Sequence, residues 1–326
     1  MNALPNFQLL RPTTAADAVA MRAANAASRY IAGGTDLLPN IRRGLMQPEV
    51  VIDLGGIADL SYIEQGPDAI RIGAGTTLAK IAAHPALRRH FAALAEAAEA
   101  VAGPTHRVAA TLGGNLCLDT RCVYYNQSES WREGNHYCMK LKGEGCRVAK
   151  KSRRCYAAFS GDVAPALIAL DAEVEILGPS GSRRVASADF YRDDGMAWLT
   201  LGADELLTGV RVPLQDGWRS AYEKVRVRGA IDFPLAGVAV ALKRKGDVLD
   251  GLRIACTGVA SRPLAIDGLA ELQGKTLDAV AMASIVAQTE IAAGAMRTTV
   301  VDMLYRRGVA PVLARRLVEK LWSATA

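Results

Sequence analysis

Six cysteines stand in this chain of 326 residues, and four of them, Cys122, Cys138, Cys146 and Cys155, crowd into the stretch 119–158. The opening MNALPNFQLL has no basic segment followed by an apolar core, so no secretory signal is expected. No apolar run approaches the ~18 residues of a membrane span. The expected compartment is the cytoplasm, where thiols stay reduced, so the cysteines need a reason other than disulfides. Their stretch is otherwise polar, with Asn126-Gln127-Ser128-Glu129-Ser130 and Gly143-Glu144-Gly145, and it holds too few aliphatic residues for a core of its own. Four thiolates around a metal would keep it in shape. Zinc sites usually carry Cys-x-x-Cys pairs on tight turns, and none occurs here. An iron–sulfur cluster also takes four thiolates and tolerates wide, irregular spacing. Spacing favours the cluster while leaving zinc, or four unrelated thiols, as alternatives. His136 could replace one ligand, but four cysteines suffice and an exposed His is the simpler reading. Cys117 and Cys256 read as buried structural thiols. The cations Arg147, Lys150, Lys151, Arg153 and Arg154 would offset a cluster's negative charge, or form a solvated face for an acidic partner.

A second kind of chemistry is carried by glycine. Tyr30-Ile31-Ala32 runs as an apolar strand into Gly33-Gly34-Thr35-Asp36-Leu37, and Thr111-Leu112-Gly113-Gly114-Asn115 follows the break at Gly103-Pro104. Paired glycines let backbone approach a ligand and expose consecutive N–H groups, a nest for an anion. A helix opening after Asp36 would add its positive end. One such loop can be a mere turn; two could clamp a pyrophosphate from both sides, as a dinucleotide requires. Neither is a standard nucleotide motif. Gly73-Ala74-Gly75 lacks the third glycine of a Rossmann fingerprint, and Lys151-Ser152 lacks the glycine of a P-loop.

These loops must be held by short strands and helices. Phe7 to Leu10 and Val50 to Leu54 read as strands, and Thr14 opens a helix to about Ala26 with Asp17 at capping-box spacing. Ile70 to Ala74 is a strand, Thr77 to Ala82 and Phe91 to Ala102 are helices, and Asp162 to Leu170 is apolar and helical. Glu173 to Leu177 and Leu206 to Val212 are strands. After a linker at Gln215-Asp216-Gly217 come strands at Tyr222 to Arg228, Leu235 to Lys243 and Leu252 to Gly258, and from Leu277 the chain reads as helical to its end. The fold class is α+β, with boundaries near 57 and 216: an N-terminal α/β unit (1–57), a second unit (58–216) and a C-terminal unit (217–326) built on a small antiparallel sheet with helices.

The order AGGTDL, TLGGNL and GDVAPALIALDA, followed by YEKVRVRGAIDFPLAGVAVAL and IACTGVASRP, resembles the FAD-binding subunits of the xanthine dehydrogenase and carbon monoxide dehydrogenase family, the molybdenum hydroxylases. The likeness runs from Phe7 to the last helix. It implies a two-part FAD-binding domain in which Ala32 to Leu37, with Tyr30 and Ile31, and Thr111 to Asn115 contact FAD. It implies further that Asp162 hydrogen-bonds the cofactor, and that Lys224 and Asp232 lie where the C-terminal domain nears the flavin ring. Relatives separate the positions of Cys117 and Asp162 by fewer than about ten residues, so the cysteine-rich stretch is an insertion of roughly forty, the size of a small structural unit. A flavoprotein with a cluster-bearing insert resembles the 4-hydroxybenzoyl-CoA reductase branch of the family. That implies a 4Fe–4S cluster on the four cysteines and a ferredoxin-type donor. It also implies partner subunits carrying molybdopterin and two 2Fe–2S clusters, in a dimer of heterotrimers.

No Ser-His-Asp or paired acid–base constellation is evident, and four histidines leave few general bases, so no catalytic residue is assigned to this chain. The net charge of +6 is modest and its cations are scattered outside 147–154, so nucleic acid is not an expected partner. The alternative within the family is the flavin subunit of an NAD-linked hydroxylase with zinc bracing the insert.

Overall fold

The computed structural model describes residues 3–324. Its first unit alternates strand and helix: β1 (Gln8–Leu10), α1 (Ala15–Ala24), β2 (Arg29–Ile31), α2 (Leu37–Arg42) and β3 (Val50–Asp53). The strands lie parallel in the order β1-β3-β2, with Leu9 opposite Val51 and Tyr30 opposite Ile52. Thr14 caps α1 by accepting from the Asp17 N–H at 3.0 Å and donating to its carboxylate at 2.7 Å. The helix stops at Ala24, short of the expected Ala26. The Arg22 guanidinium gathers the carbonyls of Asn25 and Ala26 at 3.0 and 2.8 Å, drawing them out of the helical ladder.

The second unit is a five-stranded antiparallel sheet, in the order β4-β5-β8-β6-β7, backed by short helices. Its strands are β4 (Ile63–Gln65), β5 (Ala69–Gly73), β6 (Glu173–Gly178), β7 (Gly181–Ala186) and β8 (Leu206–Pro213). Between β5 and β6 run α3 (Leu78–Ala83), α4 (Pro85–His90), α5 (Ala92–Ala100), α6 (Pro104–Arg107), α7 (Leu112–Leu116), α8 (Glu129–Gly134) and α9 (Val163–Ala169). Ile70, Ile72, Leu94, Leu112, Phe159, Leu167 and Val210 are fully buried together in this core. Ala93, Ala97 and Ala98 line the buried side of α5, and small side chains let β9 of the next unit lie close against it.

The third unit is an antiparallel sheet of β9 (Trp218–Val225), β10 (Ala236–Lys245), β11 (Val248–Thr257) and β12 (Leu264–Ala265), in the order β12-β11-β10-β9. It is covered by α10 (Ala279–Ala292) and α11 (Met303–Ser323), and Val238, Val240, Ile254, Ile285, Leu313 and Val318 form its core. β9 docks on α5 through two cross-unit bonds. The Ser220 hydroxyl accepts from the Ala93 N–H at 3.1 Å, and the Tyr222 N–H donates to Glu96 at 2.7 Å. The helical stretch expected from Leu277 is divided into two helices, because residues 293–302 leave the helical path. Gly294 and the β-branched run Thr298-Thr299-Val300-Val301 disfavour helix there. Buried Arg306 then holds the segment open, donating to the Met296 carbonyl and the Thr298 hydroxyl at 2.9 Å each. Asp302 restarts the helix by accepting from the Leu304 N–H at 2.7 Å.

The insert is pinned where it begins and ends. Arg121 and Ala158 exchange two backbone bonds of 2.7 Å, closing its neck. The Val123 N–H reaches the Thr298 carbonyl at 2.7 Å, and fully buried Arg132 donates to the Arg43 carbonyl at 2.7 Å. Its small apolar cluster is Leu45, Tyr125 and Ala157 together with Cys122, Cys138 and Cys155. Among the described residues no helix is long and apolar enough to cross a membrane.

Candidate functional site

The two glycine loops lie against each other. A Cβ on Gly33 would stand 1.9 Å from the Ala109 carbonyl oxygen, so only glycine lets the first loop reach the residues leading into the second. Gly34 turns with φ +68. In the second loop the Thr111 hydroxyl accepts from the Gly114 N–H at 3.1 Å and opens α7, while Gly113 sits where a Cβ would be 2.9 Å from that of Ala74. Both loops line one cleft of about 1140 Å³, large enough for a dinucleotide. Tyr30, Ile31, Ala32, Thr35, Asp36 and Leu37 line it on one side, and Thr111, Gly113, Gly114, Asn115 and Asp162 on the other. Asp232 reaches it from the C-terminal unit.

Asp36 does not cap α2. Its carboxylate is held instead by the Arg121 guanidinium and by Asn40, which donates at 3.1 Å. Arg121 in turn lies 4.7 Å from the centre of the Phe233 ring, a cation–π contact that brings insert neck, first unit and third unit together. Asn115 turns its side chain to the next motif, accepting from the Val163 N–H at 3.2 Å. Asp162 is buried and accepts from the Tyr222 hydroxyl and the Lys224 ammonium, each at 2.8 Å. Burial raises the Asp162 carboxyl above its ordinary value, against the pull of Lys224. Lys224 is therefore not a cleft wall: it stands behind Asp162, and also donates to the Asp232 carbonyl at 3.2 Å. Asp232 caps its own turn, accepting from the N–H groups of Val227 and Arg228 at 3.1 and 3.0 Å. Asp162, Lys224 and Asp232 thus form one chain of contacts beside the cleft, with Asn115 bonded to the neighbouring Val163. Cys117, expected to be buried, is only half-buried and lies in the cleft wall, whereas Cys256 is fully buried in the C-terminal core.

The four cysteines of the insert are all buried, each less than a tenth exposed. They lie close enough to act on one another's charge. Burial pushes the Cys122 thiol up to about 12 and the Cys155 thiol up to about 11; the Ala157 N–H and the Lys140 ammonium pull Cys155 the other way. Among the described residues no three Cys, His, Asp or Glu side chains converge tightly enough to hold a single metal ion. His136 is exposed, with φ +54. Of the basic residues beside the cysteines, Arg147, Lys150, Lys151 and Arg153 are exposed, and Arg154 pairs with Asp193.

Sequence reasoning missed the groups that join the insert to the cleft. Asp119 and Arg121 follow the TLGGNL motif directly, and that position was their only signal. Lys140 lies between two of the cysteines; its ammonium is bonded to Asp119 at 2.6 Å and to the Thr120 carbonyl at 3.0 Å. Tyr222 sits two residues before Lys224, and so on the same face of β9.

Three comparisons bear on this arrangement. Residues 5–215 match the family described as the FAD binding domain in molybdopterin dehydrogenase. The chain is 34% identical over 277 residues to the aldehyde oxidoreductase FAD-binding subunit PaoB of Escherichia coli, covering 80% of this chain and 84% of that one. It is 30% identical over 320 residues to the carbon monoxide dehydrogenase medium chain of Afipia carboxidovorans, covering 97% and 96%. The solved carbon monoxide dehydrogenase of Hydrogenophaga pseudoflava superposes with a TM-score of 0.81 at 25% identity, over 99% of this chain and 100% of that one. A cleft built by two abutting glycine loops accords with these likenesses, and the chain belongs to the FAD-binding subunits of the xanthine and carbon monoxide dehydrogenase family, as an oxidoreductase subunit of the molybdenum hydroxylase type.

Proposed function

We propose that this chain is an electron-transfer subunit carrying both FAD and a 4Fe–4S cluster, the cluster held by Cys122, Cys138, Cys146 and Cys155. The observation that carries the reading is the gathering of four buried cysteines in an insert that has almost no other core, beside the flavin cleft. The donor set suits the group: four thiols, buried and mutually close, with the Lys140 ammonium beside Cys155. A four-iron cluster is larger than one ion, so its thiolates stand further apart around it than those of a zinc site.

In the same reading the loops Ala32 to Leu37 and Thr111 to Asn115 offer N–H groups and hydroxyls to the pyrophosphate, and Asp162 accepts from the cofactor. Electrons pass from a ferredoxin-type donor through the cluster and FAD to 2Fe–2S and molybdenum centres on partner subunits, in a dimer of heterotrimers. The exposed cations Arg147, Lys150, Lys151 and Arg153 suit an acidic donor. The substrate reaction, on the molybdenum subunit, is the reductive dehydroxylation of 4-hydroxybenzoyl-CoA to benzoyl-CoA, as the resemblance of the insert implies. A second reading, oxidation of an aldehyde, is favoured by the 34% identity to the Escherichia coli aldehyde oxidoreductase subunit.

The test is metal, sulfide and flavin analysis of the anaerobically purified complex beside a Cys138→Ser, Cys146→Ser variant. The expected wild type carries one FAD and roughly four iron and four sulfide beyond those of its partners, and the variant loses that excess. Zinc in the insert would instead support the NAD-linked hydroxylase. Turnover of 4-hydroxybenzoyl-CoA against aldehydes separates the two substrate readings.

A further inference from the structure

Lys140 is an insert residue that lies beside both the cysteine cluster and the cleft. It lies two residues after Cys138 and lines the flavin cleft. Its side chain is 5% exposed, a rare position for an ammonium. The charge is held on every side: by Asp119 at 2.6 Å, by the Thr120 carbonyl at 3.0 Å, and between the rings of Tyr125 and Trp198, whose centres lie 4.6 and 5.0 Å away. So many partners fix a flexible side chain in one place, far beyond what closing a loop requires.

We propose that Lys140 is a positioning residue for electron transfer: a fixed buried positive charge between the four-cysteine pocket and the flavin cleft that makes the pocket's cluster easier to reduce. The proposal rests on the 4Fe–4S reading above. Its physical basis is that a charge out of water acts over several ångströms with little screening. Lys140 lies two residues after Cys138 and close enough to Cys155 for its charge to be felt there. One electron from the donor reduces the cluster, and the same electron reoxidises it by leaving for the flavin. Lys140 forms no bond in the transfer. Asp119 is the counterweight, since its carboxylate offsets part of the ammonium's field on the pocket.

The experiment is an EPR-monitored redox titration of the anaerobic holoenzyme complex, comparing wild type with Lys140→Met, Lys140→Arg and Asp119→Asn. With iron and FAD content unchanged, Lys140→Met is expected to make reduction of the insert cluster at least tenfold less favourable, 59 mV for one electron. Lys140→Arg restores most of the shift, and Asp119→Asn moves the potential the opposite way. A wild-type potential in a fully loaded Lys140→Met overturns the proposal. If that variant fails to load, Asp119→Asn decides, because an unmoved or lowered potential there also overturns it. A wild-type complex without insert iron sinks the cluster reading itself, which is seen before any variant is compared.

Discussion

At the scale of single residues, the glycine-loop cleft depends on the absence of side-chain atoms as much as on their presence. Gly33 has a Cβ position 1.9 Å from the Ala109 carbonyl oxygen, which is backbone and cannot swing aside. Gly33→Ala must therefore push the two loops apart. It is expected to destabilise the protein by about 1–3 kcal/mol, as overpacking does, and to yield chain with little bound FAD. Gly134, at the end of α8 with open space around it, is the control: Gly134→Ala should keep full flavin absorbance and stability. Flavin content measured after gel filtration, with urea unfolding, checks both; equal flavin in the two variants would refute the argument. The glycine pairs were legible in the sequence because close backbone approach leaves a compositional mark. Asp119, Arg121 and Lys140 were not, because their roles arise only when the insert folds back on the loop that precedes it. Nothing in their local spacing separates them from solvated charges.

At the scale of elements, most strands and helices were legible from their periodicity and caps, with ends shifted by a few residues, while the short β4 and β12 were not. β7 was missed because Ser182, Arg183 and Arg184 give it little apolar pattern, and α8 because it lies in a polar stretch. The break between α10 and α11 was missed although Gly294 and the run 298–301 disfavour helix there, because Arg306, which holds it open, sits beyond it in sequence. What no periodicity could reveal is how β9 is fastened to α9. That joint is the buried pair Asp162 and Lys224, 4% and 3% exposed at their side chains, with Tyr222 on the same carboxylate. Two charges taken out of water gain little over an apolar pair, yet removing one strands the other. Lys224→Met alone is expected to cost about 3–5 kcal/mol, and adding Asp162→Asn to recover at least half of it. Urea denaturation of the two variants measures this. A double variant as unstable as the single one would mean that packing, not charge, makes the joint.

At the scale of the whole molecule, three apolar clusters centre on the three units, with Leu60 and Leu206 joining the first and Tyr222, Ala239 and Ala241 the second, and the cleft lies where the units meet. Tyr30 to Leu37 come from the first unit, Thr111 to Asn115 from the second, Lys140 from the insert, and Ile231 to Phe233 from the third. A ligand that touches all of them binds only the assembled arrangement, so its binding energy adds to the stability of the whole rather than of one unit. At a free concentration a hundredfold above its dissociation constant, FAD would add about 2.7 kcal/mol. Chain stripped of flavin should therefore melt several degrees lower and regain its midpoint on titration with FAD. Amide exchange should slow together at the two glycine loops and at 226–233, because these segments gain the same ligand at once. The insert answers to a different staple: its cysteines, not the cleft, gather its apolar cluster. Loss of the proposed cluster should speed exchange in 122–155 while the glycine loops keep their protection. If FAD instead protects only the first unit, or metal loss opens the glycine loops as well, the cleft and the insert are not the separate supports that their cores imply.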